Sequence, residues 1–164
     1  MSRSADPLHA KPSHRARLEA RSPHPAGAPG RPAEPTVCPD CHAVCEEGRW
    51  RRREPLPGAT PHLCPACVAL RRRRPEGTVT LSGPFFRAHA DEIMGLVRRV
   101  SEQAAASRPL QQLMEIDEDD AGAVISTTSA HLARAIGRAV NDAWKGELDL
   151  DAHAEGAPRV RWHR

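Results

Sequence analysis

Four cysteines in two pairs are the residues whose type and spacing point to chemistry. Cys38-Pro39-Asp40-Cys41 and Cys64-Pro65-Ala66-Cys67 both read C-P-x-C, with 22 residues between them. Two residues between thiolates let a tight turn aim both sulfurs at one ion, and a second such turn completes a tetrahedral four-sulfur shell. Backbone N–H groups in each turn are placed to bond the sulfurs. A closed shell leaves no position for water, so the expectation is one structural Zn2+ that holds the fold and does no catalysis. Two disulfides or a redox pair would call for an export signal or a thioredoxin-like βαβ pattern, and neither is visible around the motif.

The fifth cysteine, Cys45, has two readings: a spare ligand, since it lies a plausible distance beyond Cys41, or a packing thiol on the ribbon hairpin. The second is preferred because Cys38, Cys41, Cys64 and Cys67 already fill the shell. His42 adjoins a ligand and would be strained as another. Glycine often stands at that place in a zinc knuckle, and neither His42 nor Val68 supplies it.

These ligands need a scaffold, and residues 37–75 read as a zinc ribbon. Val44 to Trp50 predicts a hairpin turning at Glu46-Glu47-Gly48, with Trp50 over the metal module. Pro55 to Pro61 reads as a loop, and Leu63 leads into the second knuckle. Two arginine runs flank the metal: Arg51, Arg52 and Arg53 after the hairpin, and Arg71, Arg72, Arg73 and Arg74 after the second knuckle. Two such clusters on a rigid scaffold suit phosphate contact.

Residues 1–36 read as a disordered, basic, Pro-rich tail, with seven prolines from Pro7 to Pro35 and almost no apolar bulk. Residues 76–164 read as an α+β domain. Thr78 to Leu81 is a short strand ended by Gly83-Pro84. A helix over about 85–106 follows, with Phe86, Ile93, Leu96, Val97 and Val100 on one side. A hairpin pairs 113–117 with 123–128. A second helix over 130–145 has Ser129 as N-cap and Leu132, Ile136, Val140 and Trp144 as its stripe. A last hairpin pairs 147–150 with 159–162 around Glu155-Gly156-Ala157-Pro158. The expected fold is therefore α+β: an N-terminal zinc ribbon, then a small two-layer domain in the order helix, two strands, helix, two strands. Two helices should lie on one face of a four-stranded sheet.

Charge is uneven along the 164 residues. Residues 1–36 carry six basic and three acidic side chains, residues 37–75 eight and four, and residues 76–164 ten and fourteen. The front is basic and the back acidic, which favours phosphate backbones at the front. Only Lys11 and Lys145 are lysines among 24 basic residues, so part of the arginine richness is compositional. Three Trp, two Phe and no Tyr argue against an aromatic platform for single-stranded nucleic acid. No 18-residue apolar run and no apolar leader stretch are present, so the expected setting is a bacterial-type cytoplasm with no membrane and no small-molecule substrate.

Two further constellations have structural explanations. Glu115, Asp117, Glu118, Asp119 and Asp120 crowd one hairpin and suit a divalent cation or acid–base work, but acids at a turn tip are simply well solvated. Ser126, Thr127, Thr128 and Ser129, with His131 close by, lack a nucleophile elbow and fit a strand running into a capped helix. That helix start also offers N–H groups to a phosphate, with Arg134 one turn on.

The segments Pro35 to Cys41, Gly48-Arg49-Trp50, Cys64 to Cys67, Gly77 to Leu81, and His131-Leu132-Ala133-Arg134 to Gly146-Glu147-Leu148 occur in that order. This resembles a group of small bacterial zinc-ribbon proteins over roughly residues 35–164. The group is in turn similar to part of the adaptor that exports the large ribosomal subunit in eukaryotes, which has archaeal relatives. That second likeness rests on paired C-x-x-C knuckles followed by an α+β segment. The resemblance implies a zinc-bound, ribosome- or RNA-associated protein without catalysis. His42 and Cys45 stand where glycine and an aromatic are more usual. The leading expectation is thus a non-catalytic zinc-ribbon adaptor contacting RNA through its arginines. The rivals are a protein-interaction module of transcription or stress machinery, and a metal-dependent hydrolase using the acidic hairpin.

Overall fold

The computed structural model describes residues 33–151 and 157–164. All but the last four residues of the expected tail lie outside the described residues, as do Glu155 and Gly156 of the last turn. The described residues fall in one compact unit, Arg31–Arg164.

The ribbon is a small sheet of four strands, β1 (Thr36–Val37), β2 (Val44–Glu46), β3 (Arg49–Arg51) and β4 (Thr60–Pro61), in the order β3-β2-β1-β4. The expected hairpin is β2 and β3, with Cys45 opposite Trp50. Its two-residue turn places Glu47 at φ 52° and Gly48 at φ 72°. Two positive φ values match the right-handed twist of the flanking strands. Thr36, expected at the end of the tail, is fully buried in β1 instead, and its hydroxyl donates to the Ala33 carbonyl at 2.8 Å. Within the stretch read as a loop, Thr60 and Pro61 pair in parallel with β1. Helix α1 (Pro65–Arg72) closes the ribbon.

Beyond it comes a five-stranded sheet, not a four-stranded one. Strand β5 (Gly77–Ser82) is followed by α2 (Pro84–Ala88) and α3 (Ala90–Ser107). Then come the hairpin β6 (Leu113–Asp119) and β7 (Gly122–Thr127), α4 (Ala130–Trp144), and the hairpin β8 (Glu147–Asp151) and β9 (Arg159–His163). The spatial order is β6-β7-β5-β9-β8. The short strand read at Thr78 to Leu81 is the middle of this sheet, antiparallel to β7 and parallel to β9. Its alternation explains that place. Gly77, Val79 and Leu81 are buried while Thr78, Thr80 and Ser82 face the other side.

The helix expected over 85–106 is interrupted at His89, which has φ −128° and ψ 25°. The His89 N–H bonds the Phe85 and Phe86 carbonyls and its own carbonyl accepts from Ile93, so one residue ends α2 and starts α3. The imidazole stacks on Phe85 at 4.3 Å. Met94 and Ser101 join Phe86, Ile93 and Val97 among the buried residues, and Leu96 and Val100 are half-buried. On α4 the buried residues are Leu132, Ala133, Ile136, Gly137 and Val140. Gly137 allows the closest approach: a Cβ there would meet Val160 Cγ1 at 2.4 Å. Ser129 Oγ accepts from the His131 N–H, so the expected N-cap is in place.

Both long helices cover the face of the sheet that carries Val79, Leu81, Ala123, Ile125, Val160 and Trp162. Among the described residues no helix covers the other face, and Val124 of β7 on it is 44% exposed. Among the described residues no helix is long and apolar enough to cross a membrane.

Candidate metal centre

Cys38 leaves β1 straight into the first knuckle. Its N–H donates to the Ala43 carbonyl at 2.8 Å, and the His42 N–H to the Cys38 carbonyl at 2.9 Å. His42 takes φ 59°, the left-handed conformation that glycine adopts most easily. The second knuckle is built differently. Cys64 is the N-cap of α1, Pro65 opens the helix, and Cys64 Sγ accepts from the Cys67 N–H at 3.4 Å. Proline suits a first helical position because its fixed φ is already helical and no N–H is lost. Val68 therefore continues a helix, where no left-handed residue is required. The helix also turns its positive end towards the sulfurs, which stabilises thiolate charge.

The two knuckles meet. The Cys64 N–H bonds Cys38 Sγ at 3.4 Å, and Cys41 Sγ stands 3.7 Å from Cys64 Sγ. All four sulfurs lie within 4.8 Å of one another, a donor set fit to hold a metal ion. A tetrahedron with metal–sulfur bonds of about 2.3 Å has edges of about 3.8 Å, whereas a disulfide is about 2.05 Å. All five cysteines are thiols without disulfides. Cys38, Cys64 and Cys67 are buried and Cys41 half-buried, and Trp50, Leu63 and Leu110 pack around the cluster. Trp50 thus lies where the sequence places it.

Four sulfurs so close cannot all ionise unaided. Hydrogen bonds from the Cys64 and Cys67 side chains hold Cys38 far below the ordinary thiol value. Cys64, donor to Cys38, is pushed up to about 12, and Cys67 is pushed up strongly by its bonds to Cys38 and then Cys64. The cluster alone thus keeps some of its sulfurs protonated. A central cation would supply the charge that lets the rest ionise.

Arginines form the next layer. Arg52 donates to the Cys41 carbonyl at 2.7 Å. Arg71 grips Asp40, inside the first C-P-x-C, through two bonds of 2.8 and 2.7 Å. That carboxylate raises the Arg71 guanidinium's proton affinity, with smaller contributions from Cys67 and Cys38. Arg53 pairs with Glu46 at 2.6 Å. The two arginine runs therefore reach the first knuckle from different elements. Arg51, Arg72, Arg73 and Arg74 are exposed and make no ion pair among the described residues. The supporting roles of Arg52 and Arg71 are not legible in the sequence. The one cue is Asp40, an acid set between two ligands in a chain rich in arginine.

Cys45 is buried in β2 and stands outside the cluster. The acidic hairpin spreads over an exposed strand. Asp119 Oδ1 accepts from the Ala121 and Gly122 N–H groups, and Glu118 lies 4.0 Å from Arg98. The hydroxyls after β7 are engaged in the fold. Thr127 Oγ1 donates to Gly77 O at 3.0 Å, and Thr128 Oγ1 to Leu110 O at 2.7 Å.

Comparison with family models, curated proteins and solved structures gave no match for this chain.

Proposed function

We propose that this chain is a non-catalytic zinc-ribbon adaptor that contacts structured RNA, ribosomal in the leading reading. Six of its seven clustered arginines would play two parts, while Arg53 is held by Glu46. Arg52 and Arg71 brace the first knuckle and offset the charge of a four-thiolate centre. Arg51, Arg72, Arg73 and Arg74 meet phosphates. The observation that carries this reading is the division itself: on one rigid scaffold some arginines are tied down and others of the same runs point to solvent. Soft thiolate donors in tetrahedral array favour Zn2+, and a shell of four protein sulfurs suits a structural ion. The open sheet face supports keeping RNA off that face, because carboxylates of β6 and β8 flank it and repel phosphate.

Filter binding over a salt series tests this. RNA affinity should fall as salt rises, and each lost phosphate contact should flatten the log–log slope by roughly 0.7 to 0.9. Replacing Arg72, Arg73 and Arg74 with Gln should weaken binding across many sequences while zinc content stays unchanged. Wild-type protein that binds no RNA at low salt would remove the adaptor reading.

One feature favours a second reading, a protein-interaction module in transcription or stress machinery. On the open sheet face, Arg159 and Arg161 of β9 lie between the acids of β8 and the threonines of β5, with Arg161 and Asp149 paired at 2.7 Å. Such a surface suits a charged protein partner. Pull-down with and without nuclease separates the two: partners that survive nuclease favour the protein module.

A further inference from the structure

Trp50 does more than cover the metal core. It forms one wall of a cleft of about 380 Å³ between the ribbon and the end of α3, the start of α4 and the approach to β5. That volume falls within the range of small-ligand sites, about 300 to 1,000 Å³. Glu76, Arg108, Gln111, Ser129 and His131 also line it. The groups differ in chemistry and sit in distinct places along the chain. The indole is a flat apolar surface. Glu76 and Gln111 are hydrogen-bonding groups of the kind that read the edge of a base. Arg108 carries a fixed positive charge, and Ser129 and His131 belong to the first turn of a 15-residue helix, whose N–H groups favour an anion.

We infer that this cleft binds a single unpaired nucleotide of the RNA, with its base on Trp50 and its phosphate towards Arg108 and the start of α4. The inference rests on the RNA reading above and deepens it. It also revises the expectation, drawn from the scarcity of aromatics, that bases contribute little. One aromatic side chain is enough for one base when it stands in a cleft beside a positive charge. The arginine runs would then supply sequence-independent attraction, and the cleft would supply a preference for unpaired strands. A carboxylate at Glu76 accepts hydrogen bonds, so it favours a base with an exocyclic amino group, adenine, cytosine or guanine, over uracil.

The test measures binding of short oligo-adenylate, oligo-uridylate and a blunt RNA duplex to the metal-loaded 164-residue chain, with metal content measured for every variant. Wild type should bind oligo-adenylate about tenfold more tightly than the duplex. Trp50→Leu should abolish that preference and leave duplex binding unchanged. Because Trp50 also packs on the cysteines, Arg108→Gln and Glu76→Gln provide variants clear of the metal core. Arg108→Gln should weaken oligo-adenylate several-fold more than the duplex, and Glu76→Gln should narrow the gap between oligo-adenylate and oligo-uridylate. Equal binding of oligo-adenylate and duplex by wild type would overturn the cleft while leaving the RNA reading intact. So would metal-loaded variants that keep the full preference. No binding to any of the three RNAs would overturn both.

Discussion

Among the described residues, the core between the five-stranded sheet and its helices buries fourteen side chains, among them Trp162, Leu81 and Ile136, whereas the core of the ribbon buries Cys38, Cys64, Ala66 and Cys67. Complete burial of one large apolar side chain contributes about 1.5 to 3 kcal/mol, so the first core holds itself together. The second has little fully buried apolar volume, with Trp50, Leu63 and Leu110 only half-buried around the sulfurs. Its three buried sulfurs and the half-buried Cys41 compete for protons and converge on one point. A structural metal in a small domain contributes about 10 to 16 kcal/mol of binding energy, and that energy is folding energy. With a metal bound, the same chain would use two forces, one in each region.

The largest expected effect breaks the ribbon alone. Cys64→Ser removes one of the four sulfur donors, while the serine hydroxyl can still cap α1 and the backbone N–H still reaches Cys38. It should lose the metal and unfold residues 38–74, as metal analysis and hydrogen exchange would register. Cys45→Ser is the control. It changes a buried thiol outside the cluster, at a cost of about 1 to 2 kcal/mol, and should keep full metal. Full metal in Cys64→Ser, or none in Cys45→Ser, would contradict the ligand assignment.

The converse substitution lies in the apolar core. Ile136→Ala should cost about 2 to 5 kcal/mol in denaturant unfolding of the α+β domain, with the metal still bound. Gly137→Ala should cost about 1 to 3 kcal/mol, because the new methyl group runs into Val160. If these variants shed the metal in step with unfolding, the two cores form one cooperative unit.

Acid sharpens the contrast. Metal uptake must displace a proton from Cys64, whose thiol is pushed up to about 12 without an ion. Protons therefore compete with the metal, and affinity should fall about tenfold per pH unit for each proton displaced. Titration from neutral towards acid with a competing chelator should empty the ribbon first, while the far-ultraviolet signal of α3 and α4 persists. The smallest effect is expected at Ser129, where Ser129→Ala removes the α4 cap for about 1 kcal/mol and leaves metal content untouched.

How legible each region was follows from the same physics. Paired C-P-x-C turns announce four ligands because few other arrangements need that spacing, and these four sulfurs do converge. The stripe on α4 was plain because Leu132, Ile136 and Val140 repeat at helical spacing. The central place of β5 was hidden because its pairing with β9 spans some eighty residues, and strand order is not a local property. The interruption at His89 carries no Pro or Gly to mark it. Arg52 and Arg71 looked identical to their neighbours. Only the folded position of Cys41 and Asp40 separates the bracing arginines from the exposed ones.

Hydrogen exchange before and after chelation tests most directly the claim that the two cores are held by different forces. With metal bound, amides of α1 and around both knuckles should be protected together with β5, β7 and α4. After chelation, protection at residues 38–74 should collapse, while Val79 to Leu81, Ala123 to Thr127 and Leu132 to Val140 should keep theirs. Loss of protection across all of these segments, or at none of them, would contradict it.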